Sequence, residues 1–268
     1  MKSILITGGN GFVARNIYNF LKHLHNVTLV TRQNFDLSVS SEVNAYFENK
    51  FFDIIIHCAV VGGSRLRVDS YNEMDNNLKM YYNLHQLKNK HFRKLITFGS
   101  GAQFYSNDKP YGLSKQIIAN SILHTENFYN LNIFALFNYD ELDSRFIKSN
   151  ILRYIENSKI VIHQDKYMDF FYMNDFLNII NFYIDNENCP KSINFTYKEK
   201  FKLNDIACMI NELNDYSVKV ELQTQGIGQS YIGDYNLDSI DVNLSGLQIG
   251  ITETYKKLRN KNNEKFIS

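Results

Sequence analysis

Tryptophan is absent from the 268 residues, proline occurs only at Pro110 and Pro190, and cysteine only at Cys58, Cys189 and Cys208. Three scattered cysteines are too few for a disulfide framework, and their spacing fits no zinc site. The seven histidines do not cluster with carboxylates at ligand spacing, and His23 and His25 read as a solvated helix end. No metal is therefore expected. An excess of one charge is also missing, since 29 Lys and Arg stand against 28 Asp and Glu, a net charge of +1. A nucleic-acid binder needs a basic face to displace counterions, so that class is excluded. No run approaches the ~18 apolar residues of a membrane span. The apolar stretch Ile4-Leu5-Ile6 stops at Gly8-Gly9, which is not the pattern of a signal peptide. These absences lead to the expectation of a soluble, cytoplasmic chain without metal, nucleic-acid or membrane partners.

What is present is a regular alternation. Ser3 to Thr7, Val27 to Val30, Ile54 to Ile56, Leu95 to Phe98 and Ile133 to Phe137 read as strands. Between them, Phe12 to Leu24, Ser40 to Glu48, Asn77 to Leu87 and Ser114 to Phe128 read as helices. Strands alternating with helices require crossover connections, hence a parallel sheet. The predicted fold is α/β, a doubly wound parallel sheet with a small C-terminal lobe. The sheet domain is expected over 1–138, with 171–196 returning to it, and the lobe over 139–170 and 197–268. In the second half, helices are expected at Arg145 to Glu156, Asp175 to Ile184, Leu203 to Asn214 and Ile251 to Lys261. Short strands are expected near Ile160 to Ile162, Asp169 to Tyr172 and Ser192 to Phe195.

The turn Thr7-Gly8-Gly9-Asn10-Gly11-Phe12-Val13-Ala14 lies between the first strand and the first helix. Gly8 permits the tight turn. Gly11 lets the backbone approach a pyrophosphate at the helix N-terminus opened by Phe12 and Val13. A purely structural βα turn is the competing reading, and position after strand one favours a dinucleotide. An acidic residue ending strand two would bind the ribose 2′-OH of NAD, whereas an arginine accommodates the 2′-phosphate of NADP. Here Arg32 stands at that end and the first carboxylate is Asp36. NADP is the expected cofactor, with NAD the alternative.

Tyr111 and Lys115 are spaced i, i+4 at the start of a predicted helix, which puts phenol and ammonium one turn apart on one face. A phenol with a pKa near ~10 needs an adjacent cation to transfer protons at neutral pH. In a chain with 18 tyrosines this spacing also arises by chance. Its weight comes from Ser100, which follows the strand Leu95 to Gly99 at the edge where doubly wound sheets bind ligands. A hydroxyl there can polarise a carbonyl that Tyr111 protonates.

These residues, with His57-Cys58-Ala59, resemble the extended short-chain dehydrogenases/reductases (the NAD-dependent epimerase/dehydratase family). They are most similar to the GDP-L-fucose synthase-like sugar-nucleotide reductases. The resemblance covers roughly residues 1–185 and implies a Rossmann domain with a C-terminal substrate-binding lobe. It implies Ser100, Tyr111 and Lys115 as catalytic, Lys115 also holding the nicotinamide ribose. It further implies that Ala59, Asn77 and the Asp36-Leu37 pair lie along the cofactor. Gly63, Gly101, Asn138, Arg145 and Arg153 fall at positions that line the substrate, though Arg153 reads equally as a solvated helix arginine. The nucleotide-linked substrate follows from the family alone.

The departures carry information. Ser100 and Tyr111 are only 11 residues apart, far closer than is usual in the family. The loop over the substrate must be cut back. The family's epimerising cysteine and histidine fall at Ala102 and Arg145, and neither side chain suits proton shuttling at carbon. The expected activity is thus an NADPH-dependent C4 reduction of a nucleotide-linked 4-keto-6-deoxyhexose, GDP- or dTDP-linked, without 3,5-epimerisation. A 4-epimerase with bound NAD is the alternative, and a non-catalytic cofactor-binding module the third. A homodimer is expected through Tyr81, Tyr82 and Leu84, whose competing reading is core.

Overall fold

Each short apolar strand is followed by an amphipathic segment able to cover it. In the computed structural model this pattern is realised over residues 1–64 and 67–267, with side chains described through Lys261. The first elements are β1 (Ser3–Thr7), α1 (Phe12–Leu21), β2 (Asn26–Leu29), α2 (Ser40–Phe47), β3 (Phe52–His57) and α3 (Tyr71–His85). There follow β4 (Phe92–Ser100), α4 (Ala102–Tyr105), α5 (Pro110–Leu123), β5 (Phe128–Ile133) and β6 (Leu136–Phe137). Next come α6 (Phe146–Ile155), β7 (Ile160–Asp165), β8 (Phe171–Tyr172) and α7 (Met173–Asp185). The chain ends with β9 (Ser192–Phe195), α8 (Leu203–Asn211), β10 (Val220–Ile227) and α9 (Leu247–Ile267). Among the described residues no helix is long and apolar enough to cross a membrane.

Six strands form one sheet in the order β2-β1-β3-β4-β5-β9, with parallel pairing from β2 through β5. The order reverses beside β1, so the crossovers on its two sides leave from opposite faces. This opens a crevice at the strand C-termini. The expected doubly wound sheet is present.

Two compact units divide the chain. One comprises Met1–Ile133 and Ile180–Asn194; the other comprises Phe134–Ile179 and the chain from Phe195 onward. In the first, Leu5, Ile55, Leu95 and Phe128 from the sheet meet Tyr81, Leu84, Ile118 and Ile122 from α3 and α5. Each such burial stabilises by about 1.5–3 kcal/mol. In the second, Ile147, Ile151 and Tyr154 of α6 pack with Ile160 and Ile162 of β7, Ile206 and Ile210 of α8, and Ile251 of α9. Its strands form two parallel pairs, β7 with β10 and β6 with β8.

Several expectations are corrected. The strand expected at Ile133 to Phe137 is two strands. Sheet strand β5 lies at Phe128–Ile133, from the expected helix end to the first residue of the expected strand, and β6 is a separate pair of residues. Asn130 and Asn132 disguise β5, because asparagine is poorly represented in strands; both are buried here and bonded to other side chains. Helix α3 starts at Tyr71, six residues before the expected Asn77, because Ser70 and Glu73 form a reciprocal capping box. Proline at the first turn starts α5 at Pro110. Tyr81 and Leu84 are core. Tyr81 packs edge-on to Phe128 and donates its hydroxyl to Ser121 Oγ at 3.1 Å, so of the three expected dimer-face residues only Tyr82 is exposed.

Candidate active site

The β1–α1 turn begins with Gly8 at φ +72°, a conformation that side chains disfavour. A Cβ there would also stand 2.7 Å from the Ala59 nitrogen, so the turn lies directly on the end of β3. Gly9 N–H donates to Val30 O (2.9 Å) and Gly11 N–H to Gly8 O (2.8 Å). Gly11 caps α1 through its backbone alone, and no acidic residue occupies the first turn. The helix N-terminus therefore presents N–H groups suited to an anion.

In front of this turn lies a cavity of about 310 Å³. It is lined by Gly8, Gly11, Arg32, Asp36, Leu37 and Ala59, all expected cofactor residues. Sequence reasoning missed Phe35, Cys58, Val60, Val61 and Met80, apolar or weakly polar positions of the same wall. Phe35, Cys58, Val60 and Val61 follow the ends of β2 and β3 in sequence, whereas Met80 lies on α3. Phe12, Val13, Asn77, Tyr111 and Lys115 do not line this cavity. Arg32 Nε stands 3.0 Å from Asp36 Oδ2. Burial pushes the Asp36 carboxyl up, but hydrogen bonds from Ser38 and the Arg32 guanidinium outweigh it and hold the pKa below the usual range.

Polar side chains at the ends of β1 and β3 and on α3 hold the neighbouring backbone. Thr7 Oγ1 lies 2.9 Å from His57 Nδ1 and accepts from Ala59 N–H (3.2 Å). Burial, helped by the Lys115 ammonium, pushes the His57 pKa down to about 3, so the ring is neutral at physiological pH. Asn77 is buried and clamps Val61, accepting from its N–H and donating to its carbonyl, each at 2.9 Å. It shapes the loop after β3.

Ser100 ends β4, and its Oγ accepts from Ala102 N–H (3.2 Å); Gly101 N–H is held by Ile133 O (3.0 Å). Lys115 donates to Phe98 O at 2.7 Å, and its Nζ lies 5.7 Å from the centroid of the Tyr111 ring. Burial lowers the Lys115 pKa to about 8, with the Cys58 thiol opposing that shift. An ammonium this poorly hydrated exerts a stronger field on a neighbouring phenol than one in water. Gly63, at φ +73°, lies on Tyr111: a Cβ would stand 2.7 Å from the phenol carbon Cζ. Both carboxylate oxygens of Asp69 accept from Gly63 N–H at 3.0 Å, which pins the glycine there. The structure thus brings together Gly63, Tyr111 and Lys115, and ties Lys115 to Phe98, two residues before Ser100 on β4.

The short Ser100–Tyr111 segment is filled by α4. The carbonyls of Ala102 and Ser106 press so closely on Gly112 that no side chain fits there. The segment is cut back onto α5.

The second unit carries three further expected residues. Asn138 is buried and its Oδ1 accepts from Asp140 N–H (2.7 Å). Arg145 is the N-cap of α6, with Nε 3.6 Å from Glu141 Oε2. Arg153 donates to Asn150 Oδ1 (3.1 Å). Sequence reasoning missed Glu141. It is buried, its Oε1 has no hydrogen-bond partner among the described residues, and burial pushes its pKa up to about 8 despite Arg145 and Lys148.

A family model described as the NAD dependent epimerase/dehydratase family matches residues 4–195. No protein of curated function matches the chain significantly in sequence. Among solved structures, GDP-mannoheptose C4 reductase from Campylobacter jejuni with NADP bound is similar, with TM-score 0.77 and 16% identity over 95% of this chain and 97% of that one. A GDP-L-fucose synthetase from Naegleria fowleri bound to NADP has TM-score 0.75 and 14% identity over 98% and 94%. UDP-glucose 4-epimerase from Thermotoga maritima, with UDP-glucose, has TM-score 0.79 and 15% identity over 97% and 99%. At these identities the likeness establishes the fold.

Proposed function

The chain belongs to the NAD dependent epimerase/dehydratase family, an NAD(P)-dependent enzyme family, and within it we propose an NADPH-dependent C4-ketoreductase acting on a nucleotide-activated 4-keto-6-deoxyhexose. The observation that carries this reading is the Tyr111 phenol in contact with Gly63 and near Lys115, whose ammonium is bonded to Phe98 O on the strand that ends at Ser100. The reading places NADPH in the cavity at Gly8 and Gly11, with Arg32 toward the 2′-phosphate. The cofactor, when bound, supplies the hydride. Ser100 donates its hydroxyl hydrogen to the ketone oxygen and polarises the carbonyl. Tyr111 gives that oxygen its proton as the alcohol forms. Lys115 stabilises the phenolate left behind, then aids its reprotonation. Asn138, Arg145 and Arg153 are the proposed substrate-side residues.

Ala102 supports reduction without 3,5-epimerisation, since a methyl side chain moves no proton. The test is NADPH consumption with freshly prepared GDP- and dTDP-linked 4-keto-6-deoxyhexoses in deuterated water, with the product read by NMR. Reduction with no deuterium at C3 or C5 is expected. Deuterium at those carbons would overturn the reductase-only reading, and no turnover on either substrate would overturn the substrate class.

A second reading rests on Asp36, whose carboxylate lines the same cavity beside Arg32. A carboxylate there suits the ribose 2′-OH of NAD, and the same serine, tyrosine and lysine would serve a sugar-nucleotide 4-epimerase. NAD co-purifying with the protein, and turnover without added reductant, would favour it. The balanced charge, the absence of long apolar runs and the few cysteines support a cytoplasmic location. The exposed Tyr82 and Leu123 on α3 and α5 support a homodimer through those helices.

A further inference from the structure

Beneath the end of β4, on the face covered by α5, the sheet is amide-lined where its neighbours are hydrocarbon. Thr97 donates its hydroxyl to Asn130 Oδ1 at 3.3 Å, and Asn130 Nδ2 donates to Asn132 Oδ1 at 2.7 Å. Asn132 Nδ2 in turn donates to Asn194 Oδ1 (2.9 Å) and Ser192 Oγ (3.1 Å). The ladder crosses β4, β5 and β9, and Thr97, Asn130 and Asn132 are each at most 3% exposed. It converges on Gly99. A Cβ on Gly99 would overlap the Asn132 carboxamide oxygen, and would stand 2.7 Å from Asn130 Nδ2 and 2.8 Å from Gln103 Oε1. Gln103 of α4 is buried, and that oxygen has no hydrogen-bond partner among the described residues.

A buried polar network costs desolvation that an apolar core would not, so it needs a reason beyond packing. The location supplies one. Gly99 joins Phe98, whose carbonyl accepts from Lys115, to Ser100, whose hydroxyl accepts from Ala102 N–H. Gln103 directly follows Ala102. The peptides on either side of Gly99 thus hold one group of the site each, and the amides rest on the atom between them.

We propose that Asn132 and Gln103 are positioning residues. Packed on Gly99 from below, their carboxamides set the backbone that presents both the Phe98 carbonyl to Lys115 and the Ser100 hydroxyl to the site. This rests on the reading of Ser100, Tyr111 and Lys115 as the reacting groups.

The test pairs Asn132→Val with Asn132→Thr, similar in shape but differing in one hydroxyl, and adds Gln103→Met, which removes the carboxamide whose oxygen has no partner among the described residues. Lys115 is titrated by competitive acetylation with acetic anhydride across pH, read by mass spectrometry, which needs no substrate. Asn132→Val is expected to move the Lys115 midpoint by about half a unit or more. In the same variant kcat for the keto-sugar should fall about tenfold with KM little changed. Asn132→Thr should lie nearer the wild type, and NADPH affinity should be unchanged in all three. Asn132→Val and Gln103→Met that both titrate as wild type and keep kcat within about twofold would overturn the proposal. If Asn132→Val does not fold, Gln103→Met decides by the same Lys115 midpoint. A wild-type enzyme inactive on every keto-sugar would sink the functional reading, while the Lys115 titration would still decide the positioning role.

Discussion

The two units hold their functional groups by different means. Around Ser100, Tyr111 and Lys115 the placement comes from backbone and glycine: Gly63 lies on the phenol, Phe98 O receives the ammonium, and Gly8 lies on the end of β3. The second unit uses buried ionisable side chains. Lys148 donates to Glu141 O (2.6 Å), and Asp169 accepts from Lys200 (2.8 Å) and Gly233 N–H (2.7 Å). Asp175 accepts from Tyr197 Oη (2.6 Å) and from the Ser245 and Gly246 N–H groups ahead of α9. Backbone placement varies little with pH. Buried carboxyls tie a structure to its protonation state. Each unit has its own pH response, set in the first by Lys115, whose pKa burial lowers to about 8, and in the second by Glu141, whose pKa burial raises to about 8.

The largest effect expected is at the phenol. Tyr111→Phe should lower kcat by about 10²–10⁴-fold while NADPH binding, followed by its fluorescence, stays at the wild-type value. Activity retained in that variant would remove Tyr111 from the proton step. Gly63→Ala comes next. Its methyl meets the Tyr111 ring from a backbone at positive φ, and a displacement near 1 Å costs about 10²-fold in rate. A steady-state assay showing wild-type kcat in Gly63→Ala would mean that the loop gives way and does not position the phenol.

A smaller effect sharpens the cofactor assignment. Arg32→Ala should weaken NADPH about tenfold, the value of one charge-assisted contact, and leave NADH nearly unaffected. Equal weakening of both cofactors by titration would assign Arg32 to the cavity wall in general. The smallest effect belongs to the second unit. Because the folded-state pKa of Glu141 is raised to about 8, the folded chain keeps a proton between about pH 4.5 and 8 that the unfolded chain has released. Stability from this group is thus fullest at acid pH and is lost as pH rises toward 8. Glu141→Gln should remove that loss, so thermal melts of the variant and wild type should diverge at pH 8, the variant melting higher. Parallel melting curves across that range would show the carboxyl to be ionised in the fold.

The legible parts of this molecule are those where one residue type answers one local demand. Gly8 and Gly11 answer the βα turn, Tyr111 and Lys115 share a helix face by spacing alone, and the alternation of strands and helices implies the parallel sheet. The less legible parts depend on partners distant in sequence. Asn130 and Asn132 concealed β5 because their amides are satisfied by Thr97, Ser192 and Asn194, none of which is a local neighbour. Tyr81 and Leu84 suggested a surface because a helical stripe does not reveal what covers it; here it faces Phe128 and α5. Asn77 was expected along the cofactor, and its amide clamps the Val61 backbone. Glu141 gave no sign among 28 acidic residues.

The sequence by itself determined the doubly wound parallel sheet, the glycine turn after β1 and the sharing of one helix face by Tyr111 and Lys115. These follow from periodicity and side-chain chemistry, which are properties of the chain taken locally. Only the tertiary structure decided that α4 fills the shortened segment, that Gly63 rests on the Tyr111 ring, and that Asn132 and Gln103 meet at Gly99. Those outcomes depend on which atoms are excluded from water together, and desolvation has no local signature in the order of residues.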